Sequence, residues 1–421
     1  MLVSIAILTT QSNKRRLTML YLRNCHIIDE MSDYIDDILI EKGKIKLIGK
    51  AEITNYINNN NQEAMLPDLH VQTKMDITEL DLNNKLVMPA FIDLHFHMRN
   101  PGQNHKETII TANKAAIKGG YLHLLAMANT NPIIDNAELI KDIKTQNNSL
   151  VMTNLFQVSA VTKGLNGKDL VDFEANRKET RFFSEDGKNI DDEAIMKKAL
   201  EASKEFDFII LDHSEEETEM VVRNIDLVRQ TGGNMHFCHI SKQASMEAII
   251  KAKEEGLPIT VEVAPHHIYA SSLSYRVNPP FATEEDRLFL IKAIKDGQVD
   301  AIATDHAPHT AEDKANGAPG ISGIETSFAL CHKVFKDNDL PLKILSKLLS
   351  ASPARFLGLS PSLINVGMDA NIVIIEEKSS KIDSESFESK GKNTPFDKEL
   401  VYAVIDKTIR KGDILYDNGQ N

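Results

Sequence analysis

Lys85-Leu86-Val87-Met88-Pro89-Ala90-Phe91-Ile92-Asp93-Leu94-His95-Phe96-His97-Met98-Arg99 is an apolar run that ends abruptly in two histidines and an arginine. The run from Lys85 to Leu94 reads as a strand buried on both faces, and its polar end as the rim of a sheet. The pattern then recurs. Tyr121–Met127, Leu150–Val158, Arg181–Phe183, Phe208–Leu211, Met235–Cys238, Ile259–Val263 and Ala301–Ala303 are further short apolar runs. Helical stretches lie between them, among them Glu107–Lys118, Asp191–Glu205, Glu217–Thr231, Ser245–Glu255 and Thr283–Asp296, with Ile324–Asp337 and Pro341–Leu349 after the last run. Strands alternating with helices imply a parallel sheet, and eight such units imply closure into a barrel.

The flanks read differently. Leu20, Leu22, Ile38 and Ile40 alternate with polar residues around a Lys42-Gly43-Lys44 turn. Asn371–Ile375 and Val401–Ile405 repeat that style ahead of a Lys411-Gly412-Asp413 turn. Both ends are therefore expected to be β-rich and to build one small unit together. The expected fold is α/β, a (β/α)8 TIM-like barrel over 87–358 with a small β-sandwich from 19–86 and 359–421. Residues 1–18 read as an N-terminal extension, the Asn-rich 51–85 as loop with one or two strands, and 376–396 as polar loop.

A net charge of −13 repels phosphate backbones and argues against nucleic-acid binding. No apolar run reaches membrane-spanning length, and the basic Lys14-Arg15-Arg16 follows the apolar start where a signal peptide would have it precede. Three cysteines, Cys25, Cys238 and Cys331, form no Cys-x-x-Cys pair, which points to a reducing compartment, the cytoplasm by default.

Barrel enzymes place their chemistry at the C-terminal ends of the strands. There this chain carries Asp93-Leu94-His95-Phe96-His97, Asn129-Thr130-Asn131-Pro132, Ser184-Glu185-Asp186-Gly187, Asp212-His213-Ser214-Glu215, His239-Ile240-Ser241, Pro265-His266-His267 and Asp305-His306-Ala307-Pro308-His309. Residues two apart on a strand point to one face, so His95 and His97 can reach one ion. With His213, His239 and Asp305 at later strand ends, the donors are those Zn²⁺ accepts and are enough for a second ion.

Together these motifs resemble the amidohydrolase superfamily, and within it the bacterial type I dihydroorotases. The resemblance spans about 30–421 and rests on Phe91–Gly102, Asn129–Pro132, Asp186-Gly187, Cys238–Ser241, Val277-Asn278-Pro279-Pro280 and Ala303–His309. It implies hydrolysis of a cyclic amide bearing a carboxylate, with two zinc ions per chain. His95, His97 and Asp305 would hold one ion, His213 and His239 the other, and Asp186 would bridge them. Asp305 would also carry the proton. Arg99, Asn129 and His309 would hold the substrate carboxylate, with Asn278 and the backbone near Pro319 and Gly320 against the ring. The loop 310–322 would close over the substrate. The resemblance also implies a homodimer and association with aspartate transcarbamoylase.

Relatives acting on hydantoins or allantoin use a carboxylated lysine as the bridge, and no lysine falls within Phe182–Gly187. An inactive scaffold for aspartate transcarbamoylase would have lost ligands that this chain keeps. Other polar residues read as structural. His236, three before His239, would face the opposite side of its strand, and His266, His267 and His306 would pack beside or behind the ligands. His105 and His123 look like ordinary surface or barrel residues. Cys238 reads as a small buried hydrophobe. Gly119-Gly120 reads as a helix end and Asn58–Asn61 as loop.

Overall fold

The computed structural model describes residues 19–60 and 76–420. The extension over 1–18 lies outside them. Eight parallel strands close a barrel: β1 (Phe91–Phe96), β2 (Tyr121–Ala126), β3 (Asn154–Gln157), β4 (Phe182–Ser184), β5 (Ile209–Asp212), β6 (Met235–Phe237), β7 (Ile259–Val263) and β8 (Ala301–Ile302). Strand β3 runs through Val158 into Ser159–Ala160, which pairs with β4. The ring shuts where Phe96 bridges His306 and His97 N donates to His306 O at 3.0 Å. Each of the eight apolar runs therefore supplies one barrel strand, and the barrel interior is a packed core rather than a pore.

Several helices form where cap and apolar stripe coincide. Thr108 caps Ile109–Lys118 and Thr283 caps Glu284–Lys295 through reciprocal hydrogen bonds with the third helical residue. The helix Glu217–Thr231 ends at Gly232 with φ of 70°, a left-handed C-terminal turn. Gly119-Gly120 does end a helix, and a side chain at Gly119 would meet Ile324 O at 2.4 Å.

The two ends of the chain meet in the sandwich unit, whose strands hydrogen-bond as one eight-stranded sheet. In spatial order these are 413–417, 404–410, 372–376, 86–89, 19–28, 33–41 and 44–48, with Ile77–Asp81 paired to the start of 19–28. Leu22, Ile27, Ile38, Val87, Ile372 and Ile374 fill its core.

Three expectations need correction. Lys85 to Leu94 is not one strand: Leu86–Pro89 belongs to the sandwich sheet and Phe91–Phe96 to the barrel. The hand-over takes a single residue, since Ala90 N bonds Asn371 O while Phe91 N bonds Gly120 O. The step from sandwich to barrel thus falls at Ala90 instead of after residue 86. Both strands are buried on both sides, so hydropathy runs through the switch unbroken. Second, Lys50–Asn60 is a helix, Asn58–Asn60 included. Ile53, Tyr56 and Ile57 form a helical stripe against Tyr21 and Leu39, which the asparagine-rich composition hides. Third, the loop 310–322 contains a helix, Ala311–Ala315, begun by Thr310 and Asp313 as a capping box. No helix among the described residues is long and apolar enough to cross a membrane.

Candidate active site

The strand ends bring six polar side chains into one buried cluster. His95 Nε2 lies 3.2 Å from Asp186 Oδ1 and 3.7 Å from Asp305 Oδ1. His97 Nε2 lies 3.6 Å from Asp186 Oδ2 and 3.2 Å from Asp305 Oδ1. His213 Nδ1 approaches Asp186 Oδ1 at 3.4 Å and His239 Nε2 at 2.8 Å. Asp186 is thus shared between His95 and His97 on one side and His213 and His239 on the other. The ligand-capable atoms of each threesome lie within 4.8 Å of one another.

Burial opposes charge on every member, and the neighbours decide the outcome. Against burial, the imidazoles of His97, His95 and His213 hold the Asp186 carboxyl well below its usual range. Against burial, His97 with His95 and His239 likewise holds Asp305 down. His239 is pushed far down by burial and by the His213 and His95 rings. Burial also lowers His97, despite Asp186 and Asp305. Against burial, Asp186, Cys238 and Glu262 raise His95, and Glu215 and Asp186 raise His213.

These residues fit a metal centre. His213 Nε2 is buried with no hydrogen-bond partner among the described residues, Glu215 Oε1 standing 3.9 Å away. Unpaired buried nitrogens are costly unless something binds them. Imidazole nitrogens and carboxylate oxygens in two groups sharing one carboxylate suit a pair of divalent ions such as zinc. Cys238 adjoins His95, but burial pushes its thiol up and away from the thiolate form. Three of the site's residues hold left-handed backbone, Arg99 at φ 58°, His239 at 35° and Asp305 at 47°. Such conformations persist where surrounding structure over-determines them.

On the barrel rim, Arg99 Nη2 reaches His309 Nε2 at 3.2 Å and its Nε donates to Pro308 O at 3.3 Å. Lys106, not expected from sequence, approaches His309 Nδ1 at 3.4 Å. Burial together with Arg99 and Lys106 pushes His309 down to about 3, so its ring is neutral at pH 7. Asn278 Nδ2 donates to Glu215 Oε1 at 2.7 Å, and that carboxylate lies 3.9 Å from His213 Nε2. Asn129 stands inside the cluster: its Oδ1 is 3.0 Å from His97 Nδ1 and its Nδ2 donates to Asp186 Oδ2 at 2.6 Å. Pro319 and Gly320 lie in the rim loop. Gly320 has φ of 129°, its N–H bonds Arg276 O, and a side chain there would meet Ala307 Cβ at 2.5 Å. Its backbone donor is therefore already engaged.

Beneath the cluster sits a layer that sequence reading missed. Glu262 on β7 is wholly buried, with Oε1 3.2 Å from His95 Nδ1 and Oε2 3.1 Å from His236 Nε2. His236 Nδ1 in turn meets Thr260 Oγ1 at 2.8 Å. His236 therefore faces the barrel interior. Strand β6 ends at Phe237 and the chain turns at His239, so two-residue alternation does not extend between the two histidines. Glu262 fixes the His95 ring so that Nε2 points at the cluster. An acid in the middle of Ile259-Thr260-Val261-Glu262-Val263 was the available signal, since a buried carboxylate needs partners. Glu262→Gln is expected to weaken binding of a divalent metal ion by about 10- to 100-fold. Competition against a chromophoric chelator reads this directly, and unchanged affinity would contradict it.

A dihydro-orotase-like family model matches residues 84–239. A dihydroorotase from Clostridium botulinum is 37% identical over 414 residues, covering 94% of this chain and 99% of the relative. The chain belongs to the dihydroorotase family. A second family member, from Caldanaerobacter subterraneus, is 36% identical over 81% of this chain and 88% of its own length. Among solved structures, an L-hydantoinase (dihydropyrimidinase) from Arthrobacter aurescens superimposes with a TM-score of 0.79 at 19% identity, covering 94% of this chain and 96% of its own. A D-hydantoinase from Thermus sp. gives 0.78 at 21%, over 95% of this chain and 96% of its own. At that identity these two carry the barrel-plus-sandwich fold alone. Dihydroorotases and hydantoinases share it, so membership rests on the sequence relatives.

Proposed function

We propose that this chain is a zinc-dependent dihydroorotase that reversibly hydrolyses (S)-dihydroorotate to N-carbamoyl-L-aspartate in de novo pyrimidine biosynthesis. The observation that carries the metal reading is the Asp186 carboxylate shared by two imidazole pairs. His95, His97 and Asp305 would hold one ion, His213 and His239 the second, and Asp186 both. Ions bound there supply Lewis acidity toward an amide carbonyl and make water acidic near neutral pH.

The remaining roles belong to side chains. Arg99 offers a planar two-pronged donor to the substrate carboxylate, and neutral His309 beside it adds a ring N–H. Asn129 holds His97 and Asp186 in place while facing the same carboxylate. Asn278 and the backbone at Pro319 and Gly320 border the ring. Asp305, ionised at neutral pH, takes a proton from the attacking water and delivers it to the leaving ring nitrogen. The sandwich strands within 19–89 and 372–417 frame this barrel. Free, buried Cys25, Cys238 and Cys331 support a cytoplasmic setting. The family resemblance supports a homodimer and association with aspartate transcarbamoylase.

The test is dihydroorotate hydrolysis, followed by ultraviolet absorbance, before and after chelation and zinc restoration. Chelation is expected to abolish turnover and zinc to restore it, with about two equivalents bound per chain. A folded, zinc-loaded protein without turnover would overturn the assignment.

A further inference from the structure

The segment 376–396, polar and irregular in sequence, does not stay with the sandwich unit. It crosses to the barrel rim. Asn393 Oδ1 accepts from His309 N at 2.9 Å and from Ser322 Oγ at 2.7 Å. Its Nδ2 donates to Ala307 O at 3.1 Å and to Gly320 O at 3.0 Å. Its backbone carbonyl accepts from Ser322 N at 2.8 Å. A side-chain amide offers two donor hydrogens and two acceptor lone pairs, and Asn393 uses all four. The four partners lie on both arms of the rim loop, 307–309 and 320–322. Nearby, Gly391 packs so closely that a side chain would meet Pro308 Cβ and Ser322 Oγ at 2.7 Å. Ser389 Oγ donates to Glu107, and Lys390 N reaches the same carboxylate at 3.2 Å, next to Lys106.

We infer that Asn393 is a positioning residue for substrate recognition: it clasps the two arms of the 307–322 loop and so sets where His309 stands beside Arg99. Asn393 touches neither the metal cluster nor the carboxylate itself. It acts through the backbone of His309 and Gly320. The inference rests on the reading of Arg99 and His309 as the carboxylate site. Its mechanical part, closure of the loop, does not.

Asn393→Asp keeps the shape and both acceptors but loses the two donors, and sets an anion against the carbonyl oxygens of Ala307 and Gly320. The expected result is a fall in kcat/KM for dihydroorotate of about 10- to 10²-fold, carried mainly by KM, with zinc content unchanged. A merely structural defect would lower the active fraction, and so kcat, at constant KM. Ser322→Ala removes one donor to Asn393 and is expected to move KM the same way by less. It keeps the question open should Asn393→Asp fail to fold. Tryptic cleavage at Lys314, whose Nζ is held by Arg276 O, Ala318 O and Gly320 O, is expected to accelerate in Asn393→Asp. That readout needs no substrate. If wild-type protein turns over no dihydroorotate but the variant is cut faster, the carboxylate reading fails and the clasp stands. Wild-type KM in both variants, with unchanged cleavage at Lys314, would overturn the inference.

Discussion

Asp305→Asn is expected to lower kcat for dihydroorotate by about 10²- to 10⁴-fold in protein that still folds. Asp305 lies 3.2 Å from His97 Nε2 and 3.7 Å from His95 Nε2. Burial alone would favour its protonated form, yet the three imidazoles around it keep it ionised. It therefore enters the reaction as a base beside the cluster. Breaking a cyclic amide leaves a ring nitrogen that must gain a proton, and the attacking water must lose one. One carboxylate that accepts at the first step and donates at the second serves both needs. Asparagine fills the same volume and keeps an acceptor oxygen, but cannot take up a proton. The loss should therefore appear in kcat more than in KM. Zinc content measured on the same sample separates a lost proton carrier from a lost ligand. Undiminished kcat in the zinc-loaded variant would remove Asp305 from the proton path.

The barrel is legible in the sequence because each strand is an apolar run closed by polar residues, and several helices, Ile109–Lys118, Glu193–Glu205 and Glu284–Lys295 among them, have a polar cap and an amphipathic stripe. The cluster is legible for the same reason: strand ends converge, so histidines and aspartates far apart in sequence share one rim. What escapes is contact that no periodicity encodes. Glu262 hides within an apolar strand, where its partners His95 and His236 come from two other strands. Lys106 and Glu215 sit in loops whose paths depend on packing. Asn393 arrives from the far end of the chain. The parity rule misplaced His236 because it assumes an unbroken strand through His239. The switch at Ala90 is silent because a residue buried in the sandwich and one buried in the barrel are equally apolar. The shared carboxylate Asp186 shows the opposite case. The structure turns the flanking cations away, with Lys188 Nζ on Leu165 O and Arg181 on Asp207, and leaves Asp186 alone at the shared position.

Arg99→Met is expected to raise KM for dihydroorotate steeply while sparing cyclic amides that lack a carboxylate. A hydrogen bond to a charged group contributes about 1.5–3 kcal/mol, which is about 10- to 10²-fold in affinity for each bond lost. A guanidinium makes two such bonds to one carboxylate. Arg99 is buried at the rim with only His309 and Pro308 O as partners among the described residues. His309 is a poor partner for it, because Lys106 presses a second donor on the same ring and a neutral imidazole has one acceptor nitrogen. Lys106 pairs with Asp313 at 3.4 Å, whereas Arg99 has no carboxylate within ion-pair distance among the described residues, and a substrate carboxylate would give it that partner. Methionine approximates the length of the stem and removes the charge, leaving the histidine and aspartate cluster intact. Dihydroorotate measured against a dihydropyrimidine without the carboxylate then gives a ratio that falls in Arg99→Met. Equal losses on both substrates would place Arg99 in the support of the loop and move the origin of specificity elsewhere in the rim.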